Sequence, residues 1–311
     1  MNKPVICVMG ATATGKTDIA IDLRSRFPVD IISVDSALVY RGMDIGTAKP
    51  APEVLAEHPH QLVDILDPEQ SYSAGEFVAD ARRLIDASHA AGRIPLLAGG
   101  TMMYFRALTS GIADLPVADP AIRARIDAEA DEEGWPSLHA RLAEVDPASA
   151  SRINENDSQR IQRALEVHEQ SGVPLSEWQS RDTENPAGEG LRFIKLGLVI
   201  EPRQLLHQRI AQRLNVMINS GLEEEVKTLM TRPMLTREHS SMRSVGYRQF
   251  WEYLEGLTDV ETASDKALFA TRQLAKRQIT WMRSETSMQS FDALDSGTFD
   301  AISTHIAAEM G

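Results

Sequence analysis

The chain has 311 residues, of which 42% are hydrophobic and 25% charged, an ordinary balance for a globular protein with a large core. A formal net charge of -13 argues, taken alone, against a nucleic-acid partner, and no apolar run approaches the roughly 20 residues of a membrane span. The single cysteine, Cys7, excludes an internal disulfide and a cysteine-based zinc cluster, and its apolar neighbours predict a buried side chain. The strand signal at the start leaves no room for a secretory signal, so we expect a cytoplasmic protein.

The first hundred residues alternate strand and helix signals. Strands are predicted in "PVICVMG", "DIISVD" and "IPLLAGG", and helices in "KTDIAIDLRSRF" and "SAGEFVADARRLIDASHAAG". This alternation predicts an α/β fold with a parallel sheet and helices on both faces. Residues 115–190 carry helix signals only, before a strand returns in "RFIKLGLVI". We therefore predict a core made of residues 1–114 and 191–311, interrupted by a helical insertion at 115–190.

The stretch "MGATATGKTD" contains the pattern G-x-x-x-x-G-K-T between a predicted strand and a predicted helix. Backbone N–H groups of such a loop converge on phosphate oxygens, the lysine neutralises phosphate charge, and the threonine hydroxyl is placed for Mg²⁺. The pattern reports phosphates on a ligand and leaves the ligand open, with ATP or GTP the usual expectation. The predicted phosphate loop comprises Gly10, Ala11, Thr12, Ala13, Thr14, Gly15, Lys16 and Thr17, with Thr17 as the metal ligand.

Two further segments follow predicted strands. Asp35 ends "DIISVD", and the paired glycines of "LLAGGT" precede Thr101. Ligands of parallel sheets bind beyond the carboxyl ends of the strands, so we expect both segments to lie beside the phosphate loop. Asp35 is then a Mg²⁺ ligand or a general base, or simply a turn residue, and Thr101 is a helix cap or a phosphate contact. The paired glycines would permit close backbone approach to a ligand.

The segment "KALFATRQLAKRQITWMR" near the C-terminus carries five basic residues and no acid. At about 100° per residue, Arg272, Lys276 and Arg283 fall within roughly 40° of one another, whereas Leu274 and Trp281 lie on the opposite side. We expect the latter two to pack inward and the cations to form a stripe, either solvated or bound to phosphates.

Four stretches together resemble the tRNA dimethylallyltransferases, the isopentenyl transferases of bacteria. They are "GATATGKT", "ISVDSALVYRGMDIGTAKP", "LLAGGTMMYFRAL" and "ATRQLAKRQITWMR", and "NDSQRIQRALEV" and "SVGYRQFWEYLEG" also match. The resemblance runs over nearly the whole chain in the order of the family. The sequence departs from the commoner family pattern at Ala11, Thr14, Leu38, Met102 and Met103.

The resemblance implies that the loop grips the pyrophosphate of dimethylallyl diphosphate with Mg²⁺, and that the prenyl group passes to the exocyclic amine of the adenosine 3′ of the anticodon. It implies Asp35 as the proton acceptor, Lys16 and Arg213 as stabilisers of the leaving pyrophosphate, and Thr101 between pyrophosphate and base. It further implies a monomer that contacts the anticodon stem-loop of tRNA, with no membrane partner. The implied tRNA contacts are Asp35, Ser36, Ala37, Leu38, Thr101, Arg123, Gln159, Arg160, Ile161, Gln162, Arg163, Arg243, Ser244, Val245, Gly246, Tyr247, Arg248, Arg272, Lys276, Arg277, Gln278 and Arg283.

Three other functions share the phosphate loop. A small-molecule kinase would need ATP and no basic C-terminal strip, and a nucleotide-dependent RNA-binding switch would need no base such as Asp35. An isopentenyl transferase that acts on free adenine nucleotides would have little use for the arginines of the insertion.

Overall fold

The computed structural model describes residues 2–111, 113, 115–181, 188–285 and 287–310. The chain divides into two compact units, one made of Met1–Ala107 and Gly190–Gly311 and the other of Leu108–Glu189. The second unit begins seven residues before the predicted start of the insertion and ends one residue before its predicted end. Among the described residues, no helix has both the length and the apolar character needed to cross a membrane.

The first unit is built around one parallel sheet, which confirms the predicted α/β class. Its strand order within the described residues is β3-β2-β4-β1-β5-β6, and every pairing is parallel. The strands β1, β2, β4 and β5 coincide with predicted ones, whereas the short β3 and the polar edge strand β6 were not predicted. The strands are β1 (Lys3–Gly10), β2 (Val29–Val34), β3 (His60–Gln61), β4 (Ile94–Gly99), β5 (Leu191–Val199) and β6 (Met288–Asp292).

Helices cover both faces of this sheet. On one face Ile19 and Leu23 join Ile302 and Ile306 of the last helix in a core with the strand residues. Cys7 lies fully buried in β1, as predicted, and burial raises the pKa of its thiol to about 12. The helices of this unit are α1 (Lys16–Arg26), α2 (Pro52–Glu57), α3 (Ala74–Ala90), α4 (Met102–Ser110, which crosses into the second unit), α10 (Arg203–Asn219), α11 (Leu222–Met230), α12 (Tyr247–Leu254), α13 (Val260–Arg283) and α14 (Thr298–Met310).

Local signals explain where several helices begin and end. Ser73 and Glu76 form a reciprocal capping box at the start of α3, with Ser73 Oγ accepting from Glu76 N at 3.1 Å and Glu76 Oε2 accepting from Ser73 N at 2.7 Å. Gly92, two residues beyond α3, has a φ of +69°, a conformation that favours glycine. The predicted helix segment therefore ends at a glycine because the chain there adopts a left-handed backbone conformation.

The second unit is helical throughout its described elements. It has its own core, in which Ile126, Leu138, Leu142, Ile161 and Leu165 are buried. Asp119 and Asp146 each cap a helix, since the carboxylate of each accepts a backbone N–H from the first turn of the following helix. The helices are α5 (Pro120–Glu133), α6 (Trp135–Val145), α7 (Pro147–Ala150), α8 (Ser158–Ser171) and α9 (Leu175–Arg181).

The orientation of α13 differs from the prediction. Its buried face is formed mainly by alanines, with Gln278 and Met282, while Leu274 is half-buried and Trp281 is 37% exposed. The guanidinium carbon of Arg106 lies 5.5 Å from the ring centroid of Trp281, a cation–π contact at the surface. The expectation that Trp281 packs inward is therefore wrong, because the buried side of the helix, with Ala275 and Met282, lies roughly 100° around the helix axis from Trp281.

Candidate active site

The carboxyl ends of three neighbouring strands lie level with one another. Gly99 of β4 pairs with Met9 of β1 on one side and with Val34 of β2 on the other. The phosphate loop, Asp35 and the turn before Thr101 consequently leave the sheet at the same edge. The structure thus brings together the three segments that the strand pattern predicted to converge.

The phosphate loop is closed by contacts among its own residues. Thr14 Oγ1 and Lys16 Nζ both donate to the carbonyl oxygen of Ala11, at 2.8 and 2.7 Å. A side chain at Gly10 would place its Cβ 2.5 Å from Thr14 Oγ1, and Gly15 has a φ of +84°. Both glycines of the motif are therefore required by the shape of the loop.

Three of the charged side chains around the loop are those of Lys16, Arg213 and Asp35. Burial, together with the positive charge of Arg213, lowers the pKa of Lys16 to about 8, and the carboxylate of Asp35 opposes this shift. Burial also lowers the pKa of Arg213, again opposed by Asp35. A cluster of two cations and one anion at a single edge is suited to a polyanionic ligand next to a proton acceptor.

Asp35 and Thr101 are linked through Ser36, the residue that follows Asp35 in the chain. Asp35 Oδ1 accepts from the backbone N–H groups of Ala37 at 2.8 Å and Leu38 at 3.3 Å, which shapes the turn after β2. Thr101 Oγ1 accepts from the N–H of Ser36 at 3.1 Å. Asp35 therefore acts as a turn residue, through Oδ1, and also lies at the sheet edge that carries the phosphate loop.

The paired glycines Gly99 and Gly100, at the end of β4, make close contacts within the protein. A Cβ at Gly99 would lie 2.0 Å from the carbonyl oxygen of Val34, and one at Gly100 would lie 2.5 Å from Gln278 Nε2. The close backbone approach predicted for a ligand is thus made by β2 and by α13. Close approach of a ligand to this glycine pair stays a prediction.

Two side chains beside the site, Arg209 and Glu225, were not predicted from the sequence. Arg209, one turn before Arg213 on α10, donates from Nε to the carbonyl oxygen of Ala13 at 2.9 Å. Glu225 of α11 accepts from three consecutive N–H groups, those of residues 44, 45 and 46, at 2.7 to 3.0 Å, and from Tyr247 Oη at 2.6 Å. The loop held by Glu225 continues to Thr47, whose carbonyl accepts from Arg213 Nη2 at 3.4 Å. Glu225 therefore fixes the backbone that contacts the site arginine.

The predicted tRNA contacts divide by exposure. Ser36, Gln159, Arg160, Arg243, Arg248, Lys276, Arg277 and Arg283 are exposed, whereas Asp35, Ala37, Leu38, Thr101, Gln162, Arg163, Ser244, Val245 and Arg272 are partly buried. In the second unit, Arg123 and Arg163 bind the buried carboxylate of Glu166, and Gln162 Nε2 donates to Asp127 at 2.6 Å. These three side chains therefore have structural partners in addition to any role in binding.

Four predicted tRNA contacts have no exposed side chain. Ile161 and Tyr247 are fully buried in the cores of their units, and Gln278 is 9% exposed. Gly246 is also buried and has a φ of +95° at the start of α12. These residues are used in packing or in internal hydrogen bonds, so a contact of any of them with tRNA would have to be made by backbone atoms, and the predicted contact stays a prediction.

A metal site made of protein carboxylates is not found in the described part of the chain, where no three His, Cys, Asp or Glu side chains converge. Mg²⁺ in phosphate sites commonly takes one or two protein oxygens and completes its shell with phosphate oxygens and water. Thr17, exposed in the first turn of α1, offers a hydroxyl at the mouth of the loop. This donor set fits Mg²⁺ carried by a phosphorylated ligand.

These features define the class of P-loop α/β proteins that bind a phosphorylated ligand at the carboxyl edge of a parallel sheet. The model of one family, IPP transferase, matches residues 38–285 of this chain. The chain belongs to that family.

Relatives and solved structures agree with this assignment. The chain is 56% identical over 282 residues to the tRNA dimethylallyltransferase of Burkholderia mallei (strain SAVP1), which covers 90% of this chain and 87% of the relative. Its fold is similar to the tRNA isopentenylpyrophosphate transferase of Bacillus halodurans, with a TM-score of 0.72, 34% identity and coverage of 100% and 97%. A eukaryotic dimethylallyltransferase acting on tRNA gives a TM-score of 0.80 at 25% identity, covering 98% of this chain and 77% of that one.

Proposed function

We propose that this chain transfers a dimethylallyl group from dimethylallyl diphosphate to the exocyclic N6 amine of the adenosine on the 3′ side of the anticodon in tRNA, releasing pyrophosphate. The observation that carries the proposal is that the phosphate loop with Lys16 and the turn with Asp35 leave level strand ends at one edge of the sheet, where the Asp35 carboxylate raises the pKa of both Lys16 and Arg213 against the effect of burial. A nucleophile that must lose a proton and a leaving group that gains negative charge need this combination.

The amine of adenine is a poor nucleophile because its lone pair is delocalised into the ring. In the proposed reaction N6 forms a bond to C1 of the prenyl group while the bond between C1 and the diphosphate oxygen breaks. The N6 proton passes to Asp35, whose hydrogen bonds from Ala37 and Leu38 hold the carboxylate at the end of β2. Thr101, hydrogen-bonded to Ser36, stands on the neighbouring strand end, where it would separate base and diphosphate.

The leaving group would be held by this chain's own cations and amides. Lys16 and Arg213 supply positive charge, and the N-terminus of α1 adds the partial charge of its unpaired N–H groups. Mg²⁺, bound through Thr17 and the diphosphate, would supply further neutralisation of the oxygens.

The deciding experiment incubates the protein with unmodified tRNA, dimethylallyl diphosphate and Mg²⁺, followed by mass spectrometry of nuclease digests. Gain of one C5H8 unit on the adenosine next to the anticodon supports the proposal. Prenylation of AMP, ADP or ATP without modification of tRNA would assign the enzyme to free nucleotides instead. Transfer of phosphate from ATP to a small molecule would make it a kinase.

We propose a monomeric cytoplasmic enzyme. Size-exclusion chromatography with light scattering tests whether the protein is a monomer.

The stripe on α13 is expected to contribute salt-dependent affinity for tRNA. Lys276 and Arg283 are exposed, and neither forms an ion pair within the described residues. Lys276→Ala with Arg283→Ala should weaken tRNA binding and make the slope of log Kd against log salt shallower by about one to two, because each lost phosphate contact removes roughly one released counterion. Filter binding at several salt concentrations measures the slope.

The matched control removes two cations from elsewhere in the same unit. Arg192 lies at the start of β5, at the opposite edge of the sheet, and Arg83 lies on the exposed side of α3. Arg83→Ala with Arg192→Ala lowers the net charge equally and should leave the slope unchanged. Equal slopes for both double variants would contradict a tRNA contact on α13.

A further inference from the structure

We propose that Gln278 is a positioning residue that sets the spacing between the phosphate loop and the strand end that carries Thr101. This inference rests on the proposed function. The residue is buried in the last third of α13, where it follows the exposed Lys276 and Arg277 and precedes the partly buried Ile279. A buried amide must be hydrogen-bonded, and the partners of this one identify its role.

Both ends of the side-chain amide are occupied by backbone groups of the site. Oε1 accepts from the N–H of Thr12, within the phosphate loop, at 2.9 Å. Nε2 donates to the carbonyl oxygen of Gly100, directly before Thr101, at 2.8 Å. One planar side chain therefore joins two loops that are nearly 90 residues apart in the chain, and each of its two hydrogen bonds has the correct donor and acceptor.

The two loops carry different parts of the proposed reaction. The phosphate loop would hold the diphosphate, whereas Thr101 contacts Ser36 beside the proposed base, Asp35. The distance between diphosphate and base determines whether C1 of the prenyl group lies within reach of N6, and a misplacement of about 1 Å can cost on the order of a hundredfold in rate. The side chain of Gln278 is only 9% exposed and both ends of its amide are hydrogen-bonded to backbone groups, so its proposed role is to position the two loops.

Gly100 provides an independent way to disturb the same contact. A Cβ at this residue would lie 2.5 Å from Gln278 Nε2, and its next neighbour would be the carbonyl oxygen of Gly10 at 3.2 Å. Gly100→Ala should therefore displace the amide and reproduce the effect of Gln278→Ala. In a chain that already carries Gln278→Ala, the 2.5 Å clash is gone and only the tight 3.2 Å approach to the Gly10 carbonyl oxygen remains, so the added methyl group should do less harm than it does in the wild type.

The experiment is a double-mutant cycle with two readouts. We expect Gln278→Ala and Gly100→Ala each to weaken binding of inorganic pyrophosphate with Mg²⁺, and to lower kcat/KM for dimethylallyl diphosphate, by about tenfold or more, while the Kd for tRNA changes less than threefold. In the double variant, the loss should stay close to that of Gln278→Ala alone. Ile302→Ala, on the buried face of α14, controls for lost stability, since it should lower Tm and leave pyrophosphate binding unchanged.

Each outcome decides the proposal. Pyrophosphate binding and kcat/KM within twofold of wild type in Gln278→Ala would overturn it, as would effects of the two single variants that multiply in the double variant. A loss of pyrophosphate binding in Ile302→Ala equal to that in Gln278→Ala would also overturn it, because stability alone would then explain the result. If the wild-type protein does not prenylate tRNA, the proposed function fails while the pyrophosphate measurements still test Gln278.

Discussion

Replacing Asp35 with asparagine is expected to lower kcat for prenyl transfer by about 10²–10⁴-fold while the affinity for tRNA stays nearly unchanged. The amide oxygen of asparagine can accept the same two N–H groups that Asp35 Oδ1 accepts from Ala37 and Leu38. The turn after β2 is therefore preserved, and the change removes the negative charge and the proton acceptor. Single-turnover assays with saturating tRNA measure the chemical step, and filter binding measures the Kd for tRNA.

Two comparisons separate the roles of this carboxylate. Asp35→Ala also removes the turn contacts, so any additional loss relative to Asp35→Asn reports on the turn. Asp30→Asn neutralises a carboxylate at the other end of β2, where it pairs with Arg93 at 2.7 Å, and should leave kcat unchanged. A single-turnover rate for Asp35→Asn within threefold of wild type would exclude a general base here, and weakened tRNA binding with that rate would assign Asp35 to docking.

The convergence of the site was predictable from sequence because it depends on local signals. A glycine-rich motif between strand and helix, an aspartate after a second strand and a threonine after a third each follow a buried apolar run. In a parallel sheet such positions lie at one edge whatever the strand order. The register, in which Gly99 pairs with both Met9 and Val34, then makes the three ends level.

The supporting residues were not predictable because their partners are remote in the chain. Glu225 stands in a run of three glutamates, and nothing local separates it from Glu223 and Glu224, which pair with Lys227 at the surface. Its partners lie about 180 residues earlier, in the loop at residues 44–46. Gln278 likewise stands between basic residues that predict a solvated or nucleic-acid-binding face.

The buried side of α13 was also predicted wrongly, because the prediction relied on the most hydrophobic residues of the helix. Leu274 and Trp281 are the larger apolar residues, but Ala263, Ala267 and Ala275 are the ones in the core. Small side chains allow close approach of a helix backbone to the loops beneath it, and the phosphate loop residues Ala11 and Ala13 share a cluster with Ala275. Close approach is also what brings the Gln278 amide within reach of two backbone groups.

The largest expected loss of stability concerns Glu166 in the second unit. Its carboxylate is fully buried and accepts hydrogen bonds from Arg123 Nε at 2.9 Å, Arg163 Nη1 at 2.6 Å and Asp119 N at 2.8 Å. Glu166→Gln keeps the shape but leaves two guanidinium groups without their counter-charge. Removing one partner of a buried ion pair costs about 3–5 kcal/mol, and we expect about 3 kcal/mol because the arginines retain contact with water.

Chemical denaturation of the full chain measures this loss, with Glu169→Gln as the matched control on the same helix. Glu169 pairs with Arg125 and Arg141, but all three side chains reach solvent, so its loss should cost less than about 1 kcal/mol. A free energy of unfolding for Glu166→Gln within 0.5 kcal/mol of wild type, roughly the error of such a comparison, would contradict the structural role of the cluster.

The pH dependence gives the same cluster a second test. Burial alone would raise the pKa of Glu166, but the hydrogen bonds from Arg123 and Arg163 outweigh burial and hold the pKa below its usual range. Because the pKa is lower in the folded state, the stabilisation is complete above the unfolded pKa of about 4.3 and is lost as pH falls through the folded value. The difference in unfolding free energy between wild type and Glu166→Gln should therefore be constant at neutral pH and shrink in acid. A difference that grows in acid would mean that the carboxylate is not ionised in the folded protein, and the two arginines would then be free for another partner.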